Sequence, residues 1–242
     1  MNARVALALA VVSVAVLGSG CGSAETMPSV ALDAGQPGTP ATAPAQVVRR
    51  FVEAASRGDD AEMWALLSRP TRASIGPTFG AFAYGTAPNI TKSLVDFRPS
   101  GVLVSRQLDD RWAIGALRGR YEPEDGEPIP GAYAAALRRE RGTWRLELDG
   151  LVIARLRPQP LEQASDRPEL RAEAEGGASV DRMLLWVDGR AASPRAYDTS
   201  PFSRQVDGRL RDPLPAGDHA AVVFAATRNT ADALAWTFEV GN

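Results

Sequence analysis

From Gly101 onward the apolar residues of this chain recur at every second position, and this period constrains the fold more than any other feature. Val102 and Val104 alternate with Leu103 and Ser105; Trp112, Ile114 and Ala116 share one face of the next strand. Tyr133, Ala135 and Leu137 share a face of a third. Trp144, Leu146 and Leu148 then alternate cleanly with Arg145, Glu147 and Asp149. Gly142 marks the hairpin turn before that strand, and a final strand of the set is expected near Leu151 to Leu156.

Ahead of Gly101 the period is helical. Val48, Phe51, Val52 and Ala55 fall on one face of a helix over Ala45 to Ser56, which Gly58 ends. Asp59 and Glu62 form a capping-box pattern that opens a second helix through Met63, Trp64, Leu66 and Leu67. A third helical stretch is expected from Pro70 to about Phe82, then a loop through Ala87-Pro88-Asn89. Helices followed by a curved antiparallel sheet make an α+β layout over 45–157.

Pro158 to Pro168 break all periodicity and read as a linker over 158–168. Beyond it, over 169–242, short strands are expected at Leu170–Ala174, Arg182–Val187, Arg195–Thr199, Ser203–Val206, His219–Ala225 and Leu234–Val240. Asp188-Gly189 is a tight-turn dipeptide. Short strands at regular intervals with no room for a long helix argue for an all-β sandwich with Trp186, Trp236 and Phe238 in its core.

Two resemblances sharpen this reading. AQVVRRFVEAASRGDDAEMWALL, followed by AYAAALRRERGTWRLELDG, resembles the nuclear transport factor 2-like superfamily over about 110 residues. That resemblance implies a cone-like sheet around a pocket closed by the helices, lined here by Phe79, Phe82, Tyr84, Trp112 and Tyr133. RMLLWVDG, LPAGDHAAVVFAAT and AWTFEV resemble bacterial immunoglobulin-like modules of cell-surface proteins. Enzymes of the first superfamily project His, Asp or Arg into the cone. No histidine lies in this domain; Asp96, Asp109 and Asp110 are available but none has a readable partner, and an isomerase- or hydrolase-type reading would use an acidic residue such as Asp96 as base.

The N-terminus bears on location. Met1 to Arg4 carry a positive charge, Val5 to Leu17 form an uncharged apolar run, and Gly18-Ser19-Gly20 lead to Cys21. As a helix the apolar run would span about 20 Å, short of the ~30 Å hydrocarbon core. The segment resembles a bacterial lipoprotein signal, which implies a signal peptide over 1–20 and acylation of Cys21, although Gly18 stands where that family prefers Leu. With a single cysteine there is no disulfide to form. Residues 21–44, rich in Pro, Gly, Ala and Thr, read as a lipid-anchored tether of roughly 25–30 Å root-mean-square span.

Function classes narrow by exclusion. With 27 basic and 29 acidic residues, no net basic field recruits nucleic acid. Glu122, Glu124, Asp125 and Glu127 crowd one loop, but their spacing is not that of a calcium loop, and no metal or cofactor is expected. His219 is the only histidine; Asp218 beside it points to the other face, and no G-x-S-x-G elbow exists, so no triad is expected. The expectation is a non-enzymatic cell-envelope protein, held to the membrane through the Cys21 lipid, that binds a small apolar ligand or an envelope protein partner. The alternatives are an extracytoplasmic enzyme using the cone and a purely structural accessory subunit.

Overall fold

The computed structural model describes residues 43–241 apart from Asp149, Ser200 and Pro201, with the backbone alone for Ala178 and residues 193–199. The apolar run, Cys21 and nearly all of the tether lie outside the described residues.

Helix α1 (Pro44–Arg57) buries Val48, Phe51, Val52 and Ala55, and Gly58 ends it in the left-handed conformation. The Asp59 carboxylate accepts from Glu62 N at 2.9 Å and starts α2 (Asp60–Leu66). Ser68 does the same for α3 (Arg69–Ile75) through Thr71 N. The single helix expected to Phe82 breaks at Gly76, where a Cβ would sit 2.8 Å from the Phe82 backbone. The chain re-enters at α4 (Phe79–Ala81), passes a π turn (Phe82–Thr86) and continues into α5 (Ala87–Leu94). The loop expected at Ala87-Pro88-Asn89 is therefore helix: Pro88 stands in the first turn of α5, directly after the π turn whose last bond runs from Ala87 N to Phe82 O.

Four antiparallel strands, β1 (Phe97–Gln107), β2 (Trp112–Tyr121), β3 (Ile129–Glu140) and β4 (Thr143–Glu147), form sheet A in sequence order. Next come β5 (Ile153–Arg157), β6 (Gln163–Ala164), β7 (Leu170–Glu175), β8 (Val180–Val187) and β9 (Arg190–Ala191). The chain closes with β10 (Ser193–Thr199), β11 (Ser203–Arg209), β12 (Gly217–Thr227) and β13 (Ala231–Val240). Sheet B has the order β10-β11-β7-β5, and sheet C the order β6-β13-β12-β8-β9. The strand expected to finish the first sheet, β5, pairs with β7 instead. The stretch expected as a plain linker contributes β6, which pairs parallel to β13.

The result is a mixed α+β fold in which sheet A is covered on both faces. Helices α1, α2 and α5 and the π turn pack on one side, with Phe51, Met63, Phe82, Leu117 and Leu137 almost wholly buried there. On the other side Trp112, Ile114, Ala116 and Ala136 meet Trp186, Val222 and Phe224 of sheet C. A third core joins sheet C to sheet B through Leu185, Val223, Trp236 and Phe238 against Leu170, Ala172 and Val206. Each large apolar side chain so buried contributes about 1.5–3 kcal/mol. All three cores are built from residues between Ala45 and Val240.

Candidate functional site

Where sheet A meets sheet C, an open groove of about 470 Å³ is lined by Val102, Leu103, Arg118, Asp188, Pro215, Ala216, Asp218 and His219. The β8–β9 turn builds its floor. Val187 pairs with Arg190, so Asp188 and Gly189 are the two turn residues, and both have positive φ (48° and 77°). That conformation favours Asp-Gly. Gly189 is needed a second time, because a Cβ there would lie 2.5 Å from Leu103 O. The turn therefore presses directly on β1 and carries the Asp188 carboxylate into the seam.

There Asp188 joins three elements. Its Oδ1 accepts from the Arg118 guanidinium of β2 and from Ala220 N of β12 at 3.1 Å. Its Oδ2 lies 2.6 Å from His219 Nδ1, while His219 Nε2 lies 2.8 Å from Pro215 O. The ring is 5% exposed and stacks at a tilt on Phe238. Both ring nitrogens face protein oxygens, so neither is offered to a molecule in the groove. An Asp–His pair of this length is the geometry of a general base, but the Pro215 carbonyl occupies the working nitrogen. The arrangement ties strands β8 and β12 and the loop before β12 together.

A second polar cluster lies at the β4 edge. Glu147, 2% exposed, accepts from Arg138 at Nε (2.9 Å) and Nη2, and from Ser68 Oγ at 2.6 Å. Arg138 also stacks on Trp112 at 4.6 Å and donates to Asn229 O in the β12–β13 turn. Glu147 is buried because sheet C packs against the face of sheet A from which it projects, and there its carboxylate is both paired and hydrogen-bonded, as a buried acid must be.

The residues expected to line one cone pocket are not brought together. Phe82 is buried in the helix-side core, and Tyr133 is half-buried against it, where burial pushes its phenol well above the ordinary value. Phe79 is 46% exposed and meets Trp64 edge-on, and Tyr84 is 91% exposed. Trp112 lies on the opposite face of sheet A. Tyr133 pairs with Leu117, and the odd spacing from Leu117 to Trp112 turns the tryptophan to the sheet C side. Asp96 stays partly exposed between α5 and β1, and its carbonyl accepts from Glu122 N at 2.9 Å. The helix side of the sheet is filled by Phe51, Phe82, Phe97, Met63 and Leu117.

Asp109 does have a partner. Burial pushes its carboxyl up, but the N–H groups of Arg111 and Trp112 and the Arg182 guanidinium at 2.7 Å outweigh this and hold it below the ordinary value. Among the described residues no three His, Cys, Asp or Glu are placed to share a metal ion. No described helix is long and apolar enough to cross a membrane.

The groove residues Arg118 and Asp188 carry no sequence motif. The Asp-Gly turn is visible, but the strand it docks on, β1, lies more than eighty residues earlier in the chain. No protein-family model matches this chain, and no curated protein sequence matches it.

Proposed function

We propose that the protein is a non-enzymatic, lipid-anchored envelope protein that engages a protein partner through its surface. In this reading α1 to α5 with sheet A are a nuclear transport factor 2-like body, and sheets B and C are an immunoglobulin-like module fused to it. The observation that carries the proposal is the packing between helices and sheet A. The space where that superfamily holds its ligands is occupied by Phe51, Phe82, Phe97, Met63 and Leu117, each nearly inaccessible. The engagement of both His219 nitrogens supports a non-catalytic reading of the groove. The apolar run before Cys21 supports membrane attachment.

A second reading is a small-molecule binder that uses the groove, whose volume of about 470 Å³ falls within the usual range for ligand pockets. Native mass spectrometry of the protein purified from its own envelope, paired with crosslinking in intact cells, separates the two. A bare polypeptide-plus-lipid mass with one reproducible crosslinked protein is the expected result. A retained extra mass of a few hundred daltons, lost in Leu103→Asp, would replace it with the second reading. Lipid labelling that persists in Cys21→Ala would overturn the anchoring.

A further inference from the structure

The charge of sheet A is sorted along the strands. At one end of β3 the loop 122–128 carries Glu122, Glu124, Asp125 and Glu127. At the other end stand Arg139 and Arg141 of the β3–β4 hairpin, Arg145 of β4, and Arg69 and Arg72 of α3. β3 is twelve residues long, so the two ends are about 35–40 Å apart. None of these five arginines makes an ion pair within 4.0 Å among the described residues.

The five are neighbours in space. Arg72 Nη2 and Arg145 Nη1 both donate to Ala65 O, at 3.0 and 2.6 Å. Arg69 N donates to Glu140 Oε1 at 2.8 Å, which seats the start of α3 against the hairpin, and Arg139 lies over Trp144. The hairpin carries two carboxylates, Glu140 and Glu147, of which Glu147 is paired with Arg138; the adjacent β1–β2 turn adds Asp109, paired with Arg182, and Asp110 and Arg111, which offset each other. The like charges are felt: Arg72 is held below the ordinary arginine value, by burial first and then by Arg145. Arg69, Arg139 and Arg141 are exposed. In a chain with 27 basic and 29 acidic residues this end is a local excess, not a reflection of composition.

We propose that the α3 and β3–β4 end of the body is a docking face for an anionic phospholipid surface, with the acidic loop held away from it. The proposal deepens the membrane-anchored reading and rests on it for the identity of the surface. The reach is sufficient. The described chain begins beside β1, where Ala45 N donates to Ser105 Oγ, and Gly115 below Pro44 pairs with Ala135. That point is five residues along β3 from Glu140, about 17 Å, whereas residues 22–43 span at most about 75 Å when extended. The anchor and the face can therefore meet one bilayer.

The test uses residues 22–242, which keep every core residue but lack both Cys21 and the apolar run. Vesicles of phosphatidylcholine alone are compared with vesicles containing 30% phosphatidylglycerol, a composition of about one anionic lipid in three. Sedimentation with the anionic vesicles only, abolished at high salt, is expected. Arg69→Gln with Arg141→Gln should weaken it about thirtyfold, since each surface arginine is worth about fivefold. Glu124→Gln with Asp125→Asn should not weaken it. Equal binding to both vesicle types, or binding unchanged by the arginine substitutions, would overturn the proposal. Retention on heparin without vesicle binding would assign the face to an acidic polymer and also overturn it. Because this protein carries no lipid, failure here leaves the Cys21 labelling result intact, and the reverse also holds.

Discussion

Asp188→Ala removes the carboxylate that joins β2, the β8–β9 turn and β12, and its cost follows from three contacts. The pair with Arg118 counts for about 0.5 kcal/mol, because that guanidinium is 41% exposed and solvent screens it. The contact with His219 counts for more, about 1.5 kcal/mol, since the ring is 5% exposed and its Nδ1 would face no acceptor. Ala220 N, equally buried, loses its acceptor for about another 1 kcal/mol. The expected destabilisation is therefore about 3 kcal/mol, which lowers Tm by roughly 6–12 °C in a body of this size. Urea unfolding followed by tryptophan fluorescence measures it, with an unchanged slope confirming that the unfolded state is not what moved. Arg118→Met alone should cost less than 1 kcal/mol, and its effect should disappear in the Asp188→Ala background. A loss below 1 kcal/mol for Asp188→Ala, or full additivity of the two substitutions, would refute the view that this carboxylate holds the seam.

Two further outcomes test other parts of the fold. Gly115→Ala places a methyl 2.6 Å from Val48 Cγ2 and 2.8 Å from Pro44 O, so α1 must lift from β2, at a cost of about 1–3 kcal/mol by thermal unfolding; a neutral result would mean that α1 does not seat so closely. The Asp109 carboxyl is held below its ordinary 3.8, so its contribution is complete above that pH and fades as pH falls through the lower folded value. The stability gap between the protein and Asp109→Asn, measured by urea unfolding, should accordingly be present at pH 7 and narrow towards pH 3; a gap independent of pH would show that the charged form is not what Arg182 and the turn amides stabilise.

Much of the local structure could be read directly. The helix pair, its Asp59 cap and Gly58 stop, the strands from β1 to β4 and the six strands expected after Pro168 all occur within a few residues of their expected positions. Near-neighbour chemistry sets these: apolar spacing, caps and turn residues act over four or five positions. The α5 helix was hidden because a proline in a first turn looks the same as a proline in a loop.

What the sequence by itself determined was period, turn and cap: which stretches are strand or helix, and which side chains share a face. Only the tertiary structure decided what covers each face. Alternation places Trp112 and Tyr133 on opposite sides of sheet A, but it does not say that sheet C meets one and the helices the other. The burial of Glu147 and the meeting of Arg118, Asp188 and His219 depend on that same packing. They are contacts between residues 9 to 79 positions apart, and no local propensity specifies a partner across that distance.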